Sequence, residues 1–238
     1  MNVTIALITL RSMLSRRRAL LLFLLPAVLL SLAAALNITD NTEPGTAAGV
    51  LQQFALATLL PLLALIAGTG VIGPEIDDGQ IMYILTKPIG RHVVVLTKLV
   101  VAIALVVAFA VVPTLVAGLL LRGTATGLAQ GFTVGVLAAG VAYTAVFVAL
   151  AVASRSAVTI GLLYALVWES LLAQFAPGAR SVSIQQWGLS IADAITSSSA
   201  VEATVRTPVA VLLLAAVTVA GTALAVMRLR TLSVASAE

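Results

Sequence analysis

Long runs of apolar residues, separated by brief polar intervals, dominate this 238-residue chain. Six runs predict membrane-spanning helices at about 19–36, 54–72, 99–121, 131–152, 158–175 and 209–226. Each is close to the ~20 residues a helix needs to cross a bilayer. Residues 2–15 read differently. Val3, Leu7, Leu10 and Leu14 recur at helical spacing, with Thr4, Arg11, Ser12 and Ser15 on other faces, although Ile5 and Ile8 blur the division. That pattern predicts a helix lying on a membrane surface. Ala33, Ala34 and Ala35 imitate a signal-peptidase site, but the region before the first span is long for a signal peptide and more spans follow, so this helix is expected to be retained.

The polar intervals differ among themselves. Residues 37–49 carry Asp40, Glu43, Pro44 and Gly45 and no base, and read as a short outer loop. Residues 122–130 form a brief loop, and 153–157 a tight turn around Arg155. The long connection 176–207 includes Ile184, Trp187, Leu189 and Ile191, too apolar for a free linker, and predicts short helices dipping into the outer leaflet. Within the spans, Pro26, Pro61 and Pro113 are tolerable where neighbouring helices satisfy the freed carbonyls, and Pro61 and Pro113 are candidate bending points. Pro208 opens the last span, where its missing N–H is harmless. Gly127, Gly131, Gly135 and Ala139 recur every four residues and strip one face of the fourth span, which permits close helix contact within the chain or between subunits.

Composition sharpens the class. At 61% hydrophobic and 9% charged residues, the chain has too little polar surface for a soluble globule. The net charge of +4 matters through its placement. With the N-terminus inside, ten of the thirteen basic residues fall on inner segments and only Arg122, Arg180 and Arg206 fall outside, which predicts cytoplasmic termini. Arg16, Arg17 and Arg18 flank the first span as an anchor, and no basic stripe invites nucleic acid. Cysteine is absent, so disulfides and thiolate metal sites are excluded. His92 is the single histidine; a site pairing it with carboxylates stays formally open.

Catalytic motifs are missing. There is no phosphate-binding G-x-x-x-x-G-K-[ST], no H-E-x-x-H and no Ser/His/Asp arrangement, so this chain is not expected to be an enzyme. Glu169 is the one ionisable residue within a span. It reads either as a polar contact to a substrate or gate, or as a carboxyl hydrogen-bonded between helices. An ion-coupled secondary transporter using Glu169 and a non-transport membrane scaffold are the rival readings. Neither a relay of acids nor paired broken helices supports the first.

The segment 73–91 is a polar island in an apolar sequence. It runs from Glu75, Asp77 and Asp78 through Gly79 to Ile81, Ile84 and Leu85, then Lys87, Pro88 and Arg91. Asp77 or Asp78 would cap a short helix at its positive end, and Pro88 would terminate it. Ile81, Ile84 and Leu85 share one face, suited to a groove in a soluble partner or to the lipid surface.

Glu75-x-x-x-Gly79, Ile84-Leu85-Thr86-Lys87-Pro88-Ile89-x-Arg91 and Lys98 together resemble the permeases of the ABC-2 transporter family. The six-span layout, the surface helix and the long fifth outer loop are also similar to that family. So are Leu162-Leu163-Tyr164, Trp168-Glu169-Ser170 and the stretch from Phe175 to Gly178 to its bacterial members. Asp77-Asp78 before Gly79 departs from the common pattern. The resemblance implies an all-α membrane protein in the bacterial plasma membrane, a single permease domain over 1–238 with a coupling segment at 73–98. It implies that Glu75, Asp77, Asp78, Gly79, Ile81, Ile84, Leu85, Lys87, Pro88 and Arg91 form a coupling helix seated in a separate cytosolic ATPase. Two permease chains and two ATPase chains would then assemble, with ATP and magnesium held by the ATPases and no cofactor in this chain. Glu169, Pro61 and Pro113 are the candidates for the substrate pathway, and an amphipathic or hydrophobic exported substrate fits its apolar walls.

Overall fold

The computed structural model describes residues 3–14, 18–73, 75, 90–123, 126–172, 179–196 and 200–232. Among these, every regular element is a helix and no strand occurs. Helix α1 is Val3–Leu14 and α2 is Arg18–Ile38. Helix α3 runs over Pro44–Gly70 and α4 from Arg91 to Arg122. Helix α5 is Leu128–Ala153, and α6 is Ala157–Leu163 continued in π-helical form over Tyr164–Leu172. Helix α7 is Ile184–Ile195 and α8 is Thr207–Leu232. Five of these helices, α2, α3, α4, α5 and α8, are long and apolar enough to cross a membrane; the apolar part of α6, Ala157–Glu169, is shorter.

Two boundaries differ from the sequence expectation for a physical reason. The helix expected from 54 begins at Pro44, inside the segment read as a loop. Pro44 and Gly45 look like turn punctuation, yet a proline in the first helical turn loses no hydrogen bond, and Glu43 in extended conformation supplies the entry. The helix expected from 99 begins at Arg91, after an extended Gly90 whose carbonyl accepts from Val93 and Val94. His92 and Lys98 therefore lie on the helix instead of in the connecting segment.

Helix α5 is the hub, touching α3, α4, α6, α7 and α8. Two-thirds (67%) of its spanning window is buried, against 22% in α2 and 17% in α8, which flank the bundle with broad apolar faces. Lipid tails are as apolar as leucine, so burial of oil against oil does not drive this association; close fit does. Small residues on α5 supply it. Gly140 faces Val106 and Leu60, and Gly221 of α8 lies against the backbone at Ala145. Larger side chains fill what remains: Tyr143 stacks on Phe147, and Phe23 of α2 meets Phe109 of α4 edge to face at 4.8 Å. Threonines within the spans satisfy their hydroxyls on the carbonyl four residues back, as Thr69, Thr114 and Thr144 do.

Helix α1 packs on the first part of α4 and on α2. Its protein-facing residues are Thr9 and Met13, flanked by Ala6 and Leu10, while Leu7 and Ile8 stay exposed. The face assigned from the Val3, Leu7, Leu10, Leu14 spacing is thus rotated: protein takes one side and leaves Leu7 and Ile8 open.

Candidate functional site

Three places stand out: a buried ion pair, two stretches of irregular helix, and a buried carboxylate cluster. The first joins the end of α3 to the second turn of α4. Lys98 is fully buried, and its ammonium donates to Glu75 Oε1 at 2.6 Å and to the carbonyl of Val71 at 2.5 Å. Val71 is the C-terminal flank of α3, where helix carbonyls lack partners and the dipole favours a cation. Glu75 Oε2 is buried with no hydrogen-bond partner among the described residues. Of the island residues, Glu75 is described and is turned toward Lys98, and Arg91 is described as the first residue of α4. Asp77, Asp78, Gly79, Ile81, Ile84, Leu85, Lys87 and Pro88 lie outside the described residues.

The second place lies along α3 and α4. Both helices switch to π-helical hydrogen bonding just ahead of an internal proline: Leu51–Leu59 before Pro61, and Val107–Val111 before Pro113. The Leu60 N–H reaches Ala55, and the Val112 N–H reaches Val107, each five residues back. A proline ring collides with the carbonyl four residues earlier, and the wider turn changes which carbonyl stands there. The prolines are plain in the sequence, but no residue pattern there signals the register change.

The third is a buried cluster where α6 meets α7. Glu169 is fully buried. Its Oε1 accepts from the Tyr164 hydroxyl at 2.9 Å and from the Ile184 N–H at 3.1 Å, and its Oε2 accepts from the Ser183 hydroxyl. Ser183 caps α7, and Ile184 is its first residue, so the carboxylate sits at the positive end of that helix. Tyr164 and Glu169 are five apart, on different faces of an α-helix; the π-helical stretch from Tyr164 to Leu172 brings them together. Trp187 donates from Nε1 to Ser181, and Ser190 to the Val205 carbonyl, tying α7 to the segments on either side of it.

The glycine stripe of α5 receives α7. A Cβ on Gly131 would lie 2.7 Å from the Ala192 carbonyl oxygen, and one on Gly135 would lie 2.5 Å from that of Gly188. Gly188 returns the contact, since its own Cβ would be 2.9 Å from Ala139. The stripe is therefore filled within the chain by a helix from the long connection. Gly127 belongs to a different device: it precedes α5 with φ of 68° and ψ of 0°, a left-handed conformation in which glycine is unstrained.

Apolar clefts open beside these elements. One of about 460 Å³ lies among α5, α6 and α8, lined by Phe147, Leu150, Ile160, Tyr164, Val217 and Leu224. Another of about 330 Å³ lies among α2, α3 and α6, lined by Leu25, Leu62, Leu65 and Leu162 among others. Among the described residues, no group of three or more His, Asp or Glu side chains gathers for a metal.

Residues 13–176 match the family model described as ABC-2 family transporter protein. The match begins at the end of α1 and includes Glu75, Pro61, Lys98, Pro113 and Glu169. No curated protein matches the chain.

Proposed function

The chain belongs to the ABC-2 family of transporter proteins and is an ABC-2-type permease, and on that premise we propose that it is the membrane subunit of an ATP-driven exporter. The family match over residues 13–176 carries this reading. This sequence has no phosphate loop, so ATP and magnesium are assigned to separate cytosolic ATPase subunits, and a second permease chain completes the pathway. The basic bias of the segments around Arg11, Lys98, Arg155 and Arg228 supports a cytoplasmic placement for both termini and for the island.

In the proposed cycle, ATP draws the two ATPases together and the island, with Ile81, Ile84 and Leu85 as its docking face, passes the movement to α3 and α4. The π-helical segments before Pro61 and Pro113 are the places where those helices yield, because such turns hold fewer ideal hydrogen bonds. An amphipathic or hydrophobic substrate suits the apolar clefts. Glu169 is assigned to holding α7, since its oxygens already serve three donors. Those three contacts speak against an open coordination position for a transported ion.

Purification of the tagged chain in mild detergent from its native host tests the reading. A stoichiometric P-loop ATPase that hydrolyses ATP in the complex is the expected result. A permease that purifies with no ATPase, and whose transport follows a proton or sodium gradient, would replace it.

A further inference from the structure

We propose that Lys98 and Glu75 form a buried strut that makes the end of α3 and the start of α4 move as one body. The inference rests on the permease reading for its purpose and on geometry for its existence. Glu75 is among the residues that the sequence groups with ATPase docking, yet its carboxylate is turned to Lys98 at 2.6 Å. Lys98 is 0% exposed, and a buried ammonium is tolerated only where charge and hydrogen bonds compensate its lost hydration. It has two such partners on the other helix's side, Glu75 and the Val71 carbonyl. One side chain from α4 thus joins the Val71 carbonyl, at the C-terminal flank of α3, to the first charged residue beyond it.

The location gives the contact its consequence. Glu75 is the first charge of the island after α3, and Lys98 is the last basic residue before the apolar length of α4. Without the strut, a push delivered between them would spread α3 from α4 before it reached either proline. With it, the push enters both helices together, below the π-helical segments that yield. Lys98 and Glu75 are therefore positioning residues, acting through α3 and α4.

The pair predicts an unusual ordering of variants. Glu75→Gln leaves the buried ammonium without its counter-charge, and Lys98→Met leaves a carboxylate that is still one-fifth exposed. The double variant Glu75→Gln/Lys98→Met has no uncompensated buried charge, whereas removing one partner of a buried pair is strongly destabilising. The double variant should therefore be more stable than Glu75→Gln alone, while transmission remains lost. A merely structural pair would recover both.

The experiment uses the full permease–ATPase complex in lipid nanodiscs. The chain has no cysteine, so Glu43→Cys, at the exposed entry to α3, provides a single labelling site. Thermal stability and the rate of maleimide labelling, with and without ATP and magnesium, are measured for the unmodified pair, Glu75→Gln and the double variant. The strut requires that the double variant keep its ATPase, regain thermal stability over Glu75→Gln, and lose the ATP-driven change in labelling. A double variant that responds to ATP like the unmodified complex would overturn transmission through the pair. A Glu75→Gln chain as stable as the double would overturn the buried charge balance, whether or not an ATPase is bound. Failure of the unmodified chain to retain any ATPase would instead overturn the permease–ATPase reading, with the stability comparison still deciding the strut.

Discussion

Glu169 has hydrogen bonds that define what its neighbours lose when it changes. Its carboxylate accepts from Tyr164, Ser183 and the first N–H of α7. Glu169→Gln keeps one carbonyl oxygen for Tyr164 and Ile184, and its amide can donate to Ser183, whose hydroxyl also accepts. The remaining loss is a negative charge at a helix N-terminus, about 1 kcal/mol. Glu169→Ala removes every acceptor and leaves buried donors unsatisfied at about 1–3 kcal/mol each. Thermal unfolding followed by size-exclusion recovery should show a small loss for Gln and collapse of folded protein for Ala. Equal loss in both would mean that the charge, and not the acceptors, holds α7. The glycines give a second contrast at this scale. A Cβ at Gly135 meets backbone 2.5 Å away, whereas one at Gly49 meets nothing within 4 Å. Gly135→Ala should destabilise by about 1–3 kcal/mol through overpacking, and Gly49→Ala should stabilise by up to about 1 kcal/mol through helix propensity. The same thermal measurement reads both signs.

At the scale of elements, what the sequence exposed was hydrophobic length, and what it hid was register. Runs of apolar residues fell on the five long helices, because a single segment satisfies its own backbone inside lipid as a helix, but α3 begins ten residues and α4 eight residues ahead of the apolar run. The start of α3 at Pro44 escaped, since proline and glycine signal a turn and a helix entrance alike. The π-helical segments escaped because π-helical and α-helical stretches draw on the same residues; only their hydrogen-bond partners differ. Hence Glu169 was legible as an odd charge, but Tyr164, five residues away, was not legible as its partner, and Ser183 lay beyond a helix end. The stripe of Gly131 and Gly135 was legible as a contact surface, but its occupant α7 required the fold. Lys98 was visible as one of two lysines, and its pairing with Glu75 needed α3 and α4 side by side. These registers are also testable. Pro61→Ala and Pro113→Ala each restore a backbone donor and remove the ring that collides with the earlier carbonyl. Buried Leu51, Leu56 and Leu59 hold the packing of α3, so stability should change by no more than about 1 kcal/mol. Amide exchange across residues 55–61 and 107–113 should slow, and ATP-driven transport should fall. Unchanged exchange with unchanged transport would remove the prolines from the moving parts.

For the whole molecule, the division of labour follows from where polar groups are allowed. A chain of mean hydropathy +1.16 keeps charge only where water, a partner or a compensating charge receives it. Lys98 has its compensation within the fold, and Glu169 has its donors. The island residues Ile81, Ile84 and Leu85 instead put apolar side chains into a segment rich in charge, which suits a surface shared with a soluble partner. Leu85→Asp separates docking from folding. A carboxylate forced into an apolar groove loses hydration worth several kcal/mol, and anchors of this kind dominate interface affinity. The variant should insert and fold normally, retain the ATPase at least roughly tenfold more weakly, and leave hydrolysis uncoupled from transport. Quantifying ATPase retained on the tagged permease at graded ATPase concentration measures the first effect, and transport per ATP in proteoliposomes the second. Normal retention together with normal coupling would assign the apolar face to the lipid surface, and the contact between permease and ATPase would then have to be made by charged residues such as Lys87 and Arg91.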